Sequence, residues 1–481
     1  MRKLFIFFAL LPMIGCSGFL EEVDQDKLVP KETDHFAALL LEEFSTHYPI
    51  FSSIDHMTDN LTEDPSASTL RKFGMKTTYT WQREIEIDED GNSTSSMNNT
   101  WEYTYEDIAI ANYVIELVDD AMGEPAENEF VKGEAYFIRA ISYFNLLNLY
   151  GQPYNAASAK ADLGVPLRTD IGVEETYNRN SVAECYAQIE ADIAMAKELI
   201  EGSNVKKTIW HPSVVACDLL MSRVKLYQQQ WDAAIEYANK VTEKTGLSKL
   251  SAATPFITES SQEVLYSYNT YSPLHGLYDN LGGFIENAYR ASTELIELYD
   301  DDDIRKAAFF AGLDDGTGKV YYRTRKYGTL FTTLGYTNMR VAEAYLNRAE
   351  AYAQLGNVSG AINDITALHA MRYTNTSGVV YPTDAAEVLS FVLTERRKEL
   401  CYEDHHRWFD LRRMSNRPTI EHTFTLVQEG VKLGTETYTL LPDDFNYTLP
   451  IPIKERNNNP LIRNNERYEK IPVIENEIIL N

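Results

Sequence analysis

The chain has 481 residues, with 44 Lys+Arg against 72 Asp+Glu and a net charge of −28. At roughly 100–200 residues per domain this is two or three domains' worth of core, and 44% apolar with 24% charged residues is globular rather than disordered composition. So acidic a chain is a poor partner for nucleic acid, whose phosphates need positive charge, and for polyanionic polymers unless a local basic patch exists. Tyrosine is abundant, at 31 against 20 Phe and 5 Trp, which suits wet binding surfaces as well as helical cores.

Taken in chain order, Arg2 and Lys3 precede an apolar run, Leu4–Ile14, broken only by Pro12. It is too short to span a bilayer and has the character of a signal-peptide core. It ends Met13-Ile14-Gly15-Cys16, close to a lipobox, with Met where Leu is usual. Residues 1–15 are therefore expected to be a lipoprotein signal peptide, Cys16 the lipidated residue, and 16–33 a tether. The remaining cysteines, Cys185, Cys217 and Cys401, sit in apolar helical patterns and are expected to be buried free thiols.

A helix is expected near Asp34–Glu43, then an irregular insertion over 51–104. Within it, Lys76–Asp88 alternates, with Thr77, Tyr79, Trp81, Arg83, Ile85 and Ile87 on one face, which predicts a strand. Asp88-Glu89-Asp90-Gly91-Asn92 predicts a solvated turn. Apolar residues at three- and four-residue spacing then predict helices at Tyr105–Asp120, Glu129–Tyr150, Val182–Ile200, Ser213–Gln229 and Trp231–Lys244. Ser181 with Glu184 makes a capping box, and Pro212 opens the next helix. Residues 34–245 thus form one helical region.

The span 246–337 breaks the rhythm, with strand-like Glu263–Ser267 and Val320–Lys326 around a Gly- and aromatic-rich Ser272–Phe284. Residues 338–481 resume with a helical hairpin, Met339–Arg372, in which Tyr345, Ala349, Tyr352, Gly356, Ala361, Ile365 and Leu368 take tetratricopeptide spacing. Ser222 and Ala234 repeat the twelve-residue interval of Ala349 and Ala361, in a degenerate copy. The tail from Tyr438 is rich in Pro and Asn and shows no helical period.

No catalytic or cofactor signature survives inspection. Gly316-Thr317-Gly318-Lys319 lacks the spacing and the Ser/Thr of a phosphate loop. The Asp300–Asp303 run is expected to cap a helix rather than to bind Ca²⁺. His405 and His406 are adjacent and point to different faces. Glu399 and Glu403 share a helix face, as glycosidase acids would, but Arg396, Arg397 and Arg407 lie within helical reach, so a salt-bridge ladder is expected.

Four patterns together resemble the SusD/RagB family of surface nutrient-binding lipoproteins. They are Gly133-Glu134-Ala135-Tyr136-Phe137-Ile138-Arg139-Ala140 running to Leu149-Tyr150-Gly151; Arg340–Leu346 with Arg348-Ala349-Glu350-Ala351; Glu395–Leu400 with Arg407–Arg413; and Leu449-Pro450-Ile451-Pro452 with Asn459-Pro460-Leu461. With the lipobox they span the chain in family order. The resemblance implies a mainly α fold, about four tetratricopeptide-like hairpins with an irregular face above them. It implies no enzyme activity and no cofactor. It also implies a lipid-anchored place on the outer face of the outer membrane, and a SusC-like TonB-dependent transporter as partner. The ligand would be an oligosaccharide, or a peptide in some branches; a surface glycosidase is the rival of a different class. The quoted motifs belong to the scaffold, so the binding face must lie elsewhere. Aromatic planes in the two insertions are the candidates: Tyr79 and Trp81 in the first, Tyr268, Tyr271, Tyr278 and Phe284 in the second. Trp101, Trp210, Trp231 and Trp408 fall in helical contexts and are expected to be packed.

Overall fold

The computed structural model describes residues 30–46, 54–88, 90–94, 99–172, 177–253, 256–268, 288–314, 318–326 and 337–476. Helices carry the architecture. α1 (Thr33–Thr46) is followed by short β1 (Leu61–Glu63), α2 (Thr69–Phe73) and α3 (Lys76–Tyr79), then by long α4 (Thr100–Leu117), α5 (Pro125–Tyr150), α6 (Val182–Ser203), α7 (Val214–Tyr227) and α8 (Trp231–Thr242). The second insertion holds β2 (Val264–Tyr268), β3 (Tyr289–Ala291), α9 (Thr293–Glu297), α10 (Ile304–Phe309), β4 (Phe310–Asp314), β5 (Val320–Thr324) and β6 (Thr337–Arg340). α11 (Val341–Gln354), α12 (Val358–Arg372), α13 (Ala385–Leu400) and α14 (His406–Arg413) return to helix. The chain closes with β7 (Ile420–Gln428), β8 (Val431–Leu440), α15 (Ile453–Asn458) and β9 (Val473–Asn476).

The fold is mainly α, and its helices pack as an array in which each of α4, α5, α6, α7 and α8 touches the next, α8 hands on to α11, and α11 packs against α12 and α13. Small residues set the close approaches. A Cβ on Gly133 of α5 would lie 2.9 Å from the Ile200 side chain of α6, and one on Gly360 of α12 would lie 2.9 Å from the Tyr352 ring of α11. Ala349 and Ala361 are fully buried in the cluster shared by α11, α12 and α13. In the degenerate copy the Ser222 hydroxyl donates to the Ala234 carbonyl at 3.0 Å, so a polar residue fits there without an orphaned group. Ser181 and Glu184 form the capping box at the start of α6. Ser213 caps α7, which places Pro212 one residue before the cap.

Among the described residues the four small sheets are antiparallel: β1–β3, β2–β6, β4–β5 and β7–β8–β9. The β2–β6 pair ties the second insertion at its base, with Val264 opposite Arg340 and Tyr268 opposite Thr337. The tail carries more order than its sequence predicts, since α15 and β9 both lie in it. Cys185, Cys217 and Cys401 are buried free thiols. Among the described residues no helix is long and apolar enough to cross a membrane.

Beneath β2 and β6 lies an ion network with five cations (Arg305, Lys326, Arg340, Arg372, Lys398) and five acids (Glu263, Asp303, Glu395, Glu399, Glu403), each at most 6% exposed in its side chain. Arg340 reaches Glu403 at 2.7 Å, Glu399 at 3.1 Å and Glu263 at 3.3 Å; Arg372 reaches Glu263 and Glu399, each at 2.9 Å. Burial alone would raise the Glu399 carboxyl, but Arg372, Arg340 and Arg305 hold it well below the usual carboxylate range. Glu399 and Glu403 are thus structural, as expected, but not through the expected arginines. Arg396 pairs with Asp410 at 2.9 Å, and Arg397 and Arg407 pair with Asp59 at 3.2 and 2.6 Å. Helical spacing brought the three within reach on paper; tertiary packing turned each toward a partner in another segment.

Candidate functional site

The strand expected over Lys76–Asp88 is absent. The chain makes the single turn of α3, then a kink at Trp81, whose φ of 53° lies in the left-handed region. This overturns the reading of Tyr79 and Trp81 as ligand-stacking residues, because both are 0% exposed. They do stack, but on His422 of β7: its ring centroid lies 4.2 Å from each, with interplanar angles of 10° and 22°. Trp81 Nε1 donates to the Met57 carbonyl at 2.8 Å and the Tyr79 hydroxyl accepts from the Glu63 amide at 3.1 Å, so the polar atoms are satisfied inside the core. Tyr268 ends β2. Tyr271, Tyr278, Phe284 and Cys16 lie outside the described residues.

The structure places a different aromatic group in the wall of a cleft, Trp101 at 5% exposed and Tyr105 and Tyr177 half-buried. A cleft of about 690 Å³ opens between α4, the hairpin residues Glu86, Ile87 and Ser93, the residues Pro166, Arg168 and Tyr177, and α15, within the size range of ligand sites. Its hairpin is the predicted turn: the Asp88 amide donates to the Asn92 carbonyl at 2.8 Å, the Asn92 amide donates to Asp88 Oδ1 at 2.8 Å, Gly91 takes φ 81°, and Glu86, Ile87 and Ser93 are delivered to the cleft wall. Burial is the main influence on Glu86, raising its carboxyl above the ordinary value, although the Ile453 amide donates to it at 3.0 Å.

Trp101 and Tyr105 stand one helical turn apart on α4, ring centroids 4.9 Å apart. Trp101 is fixed from behind by the edge of Tyr150 at 5.0 Å, and the Tyr105 hydroxyl donates to the Pro166 carbonyl at 2.8 Å. Opposite them the Arg168 guanidinium lies 4.9 Å from the Tyr177 ring centroid, a cation–π contact. The Tyr177 hydroxyl is buried with no hydrogen-bond partner among the described residues, a group that a ligand hydroxyl could satisfy. At the rim Lys454 meets Glu102 at 2.5 Å, both exposed. The cleft therefore pairs rigid aromatic planes with amides, carboxylates and one spare hydroxyl, the complement of a polyhydroxylated ring. Sequence reasoning assigned Trp101 to packing, and at 5% exposed it is indeed packed into the core; what that reasoning missed is that the same ring lines the cleft. The available signal was Trp101-Glu102 with Tyr105-Glu106, which sets an aromatic pair and an acidic pair on adjoining faces of one helix. Of the remaining tryptophans Trp408 is buried, while Trp210 and Trp231 are half-buried.

Among the described residues no group of three or more His, Cys, Asp or Glu is placed to hold a metal ion. Asp303 caps α10 and pairs with Arg305, as expected for a capping run.

The fold and the site together define a helical-hairpin scaffold with an aromatic cleft in its wall. Comparison with known proteins gives the family. A model described as "Starch-binding associating with outer membrane" matches residues 18–226, and one described as "SusD family" matches residues 319–468. The chain belongs to the SusD/RagB family, whose members are carbohydrate-binding, outer-membrane-associated proteins. A SusD-like protein of Formosa agariphila is 24% identical, the match covering 95% of this chain and 98% of the relative. Among solved structures, a SusD-like carbohydrate binding protein from Bacteroides vulgatus superposes with a TM-score of 0.69 at 21% identity, covering 90% of this chain and 97% of the other. A SusD superfamily protein from Bacteroides thetaiotaomicron gives 0.70 at 22%, covering 91% and 100%. A laminarin binding SusD-like protein gives 0.62 at 19%, covering 92% and 100%.

Proposed function

We propose that this protein is a lipid-anchored, surface-exposed subunit that binds oligosaccharides and delivers them to a SusC-like TonB-dependent transporter, with the Trp101–Tyr105–Tyr177 cleft as a glycan-contacting surface. The observation that carries the ligand class is the cleft itself: a wall that includes the largely buried Trp101 and the half-buried Tyr105 and Tyr177, beside an unpaired buried hydroxyl. Family membership supports the delivery role, and the laminarin-binding neighbour supports glycans over peptides. Cys16 supplies the anchor through its acyl group.

One feature favours a second reading. Glu86, with its raised carboxyl in a cleft that also holds Glu102, Glu106 and Glu455, is the kind of acid a glycosidase requires. The deciding experiment uses the full-length protein in detergent against a glycan array, followed by calorimetry on the hits. Trp101→Ala is expected to weaken binding about tenfold or more, the loss of an anchor worth above roughly 1 kcal/mol, and no reducing ends are released. Undiminished binding in Trp101→Ala places the glycan elsewhere. Reducing ends that disappear in Glu86→Gln establish a hydrolase instead.

A further inference from the structure

A chain of net charge −28 still contains stretches of the opposite sign, and one of them lies in the second insertion. Between Ile304 and Lys326 six cations (Arg305, Lys306, Lys319, Arg323, Arg325, Lys326) stand against two acids, Asp314 and Asp315. Arg305 and Lys326 belong to the balanced ion network under β2 and β6. Arg323 does not. It is 4% exposed, its Nη2 donates to the Tyr321 hydroxyl at 2.9 Å, and its Nε is buried with no partner among the described residues. The other nine buried arginines among the described residues each meet a carboxylate or a backbone carbonyl. A buried guanidinium with no anion beside it has a desolvation cost that nothing described here offsets.

The surroundings extend this. Tyr321 and Arg323 are two residues apart on β5 and therefore share a face. From β3, Arg290 brings a second guanidinium to the same ring: it and Arg323 each lie 5.3 Å from the Tyr321 ring centroid. Arg290 is half-buried and loosely held, donating to the Glu63 carbonyl at 3.4 Å and to Asp64 at 3.3 Å. Two guanidiniums flank one half-buried tyrosine in a protein whose overall charge repels anions.

We propose that Arg290, Tyr321 and Arg323 form an anion-selecting subsite outside the cleft, and that the glycan this protein binds carries carboxylate or sulfate groups. The inference rests on the glycan-binding reading above and names the substrate class within it. A guanidinium offers a carboxylate or sulfate two parallel donors, which a neutral hydroxyl cannot match. The net negative surface rejects acidic polymers everywhere else, so the subsite would orient the chain as well as select it.

The test is calorimetry on the full-length protein with oligogalacturonides, sulfated galactan oligosaccharides, and neutral β-1,3-glucan and maltose oligomers of matched length. One acidic set is expected to bind, with affinity falling as salt rises; whether the uronate or the sulfated set responds identifies the anion. Arg323→Gln and Arg290→Gln are expected each to weaken that binding about tenfold or more, as loss of a charge-assisted contact does, while Trp101→Ala tests the cleft separately. If neutral oligomers bind and acidic ones do not, or if both arginine variants bind the acidic set as the parent does, the subsite is overturned and the family reading stands. If nothing in the panel binds, the glycan reading fails and this inference with it. Melting in anion-free buffer supplies a second readout: a marked fall for Arg323→Gln there means the partner of Arg323 is the chain itself, which also overturns the proposal.

Discussion

Tyr79, His422 and Trp81 form a three-ring stack that joins the first insertion to β7, 341 or more residues later in the chain, and no ring in it reaches solvent. Trp81→Ala is therefore expected to cost about 3–5 kcal/mol, the range for truncating a buried aromatic, and to leave glycan affinity per folded molecule unchanged. A denaturant melt beside a titration checks this; weakened binding at full stability would return Trp81 to the ligand face. The alternation of residues 77–87 was legible and was misassigned for a physical reason. A period of two arises equally when an irregular segment crosses a core, anchored by tertiary hydrogen bonds such as Trp81 Nε1 to Met57. The buried thiols and the capping box were legible because each depends on a short local pattern.

At the scale of elements, the long helices followed directly from apolar spacing, with ends displaced by a few residues where fraying and caps decide. Ala361 sits at zero exposure where α12 meets α11, so Ala361→Leu is expected to overpack that contact by roughly 1–3 kcal/mol. An unchanged melting temperature would show that the two helices are not held at that approach. The β7–β8 hairpin went unread although its signal was present. Ile420–Gln428 leads into Glu429-Gly430, whose positive φ values of 50° and 77° make the two-residue turn that matches strand twist. The cleft was illegible for another reason: its walls come from four separated segments, and no local pattern encodes their meeting.

For the whole molecule, charge decides behaviour in acid. Burial would raise Asp303, Glu395, Glu399 and Asp410, but the neighbouring arginines and lysines hold each below its ordinary value. Their folded pKa values lie below the unfolded ones, so they stabilise the fold above about pH 4 and that contribution disappears as pH falls through the depressed values. His406 acts in the same direction from higher pH. Burial, with Arg223, Arg396 and Arg340 nearby, keeps it neutral, so the unfolded chain takes up a proton below about pH 6.5 that the folded one refuses. Melting temperature is expected to decline from pH 6.5 and to fall steeply below about pH 4. A protein equally stable at pH 7 and pH 3 would contradict the ion network described for it.

The same interlocking has a consequence for biosynthesis. Lys72 closes its hydrogen bonding on the Thr425 carbonyl, 353 residues later, and Gln82 offers its carbonyl to Arg467, 385 residues later. Arg412 donates to the Asn148 and Gly151 carbonyls at the end of α5. A nascent chain emerges in order, so the hairpins of α4 to α8 can collapse early on local contacts, while the first insertion must wait for nearly the last residues to be made. The final segment thus acts as a completion check: a chain cut short before Arg467 leaves the carbonyls of Trp81, Gln82 and Arg83 without the guanidinium that closes on them.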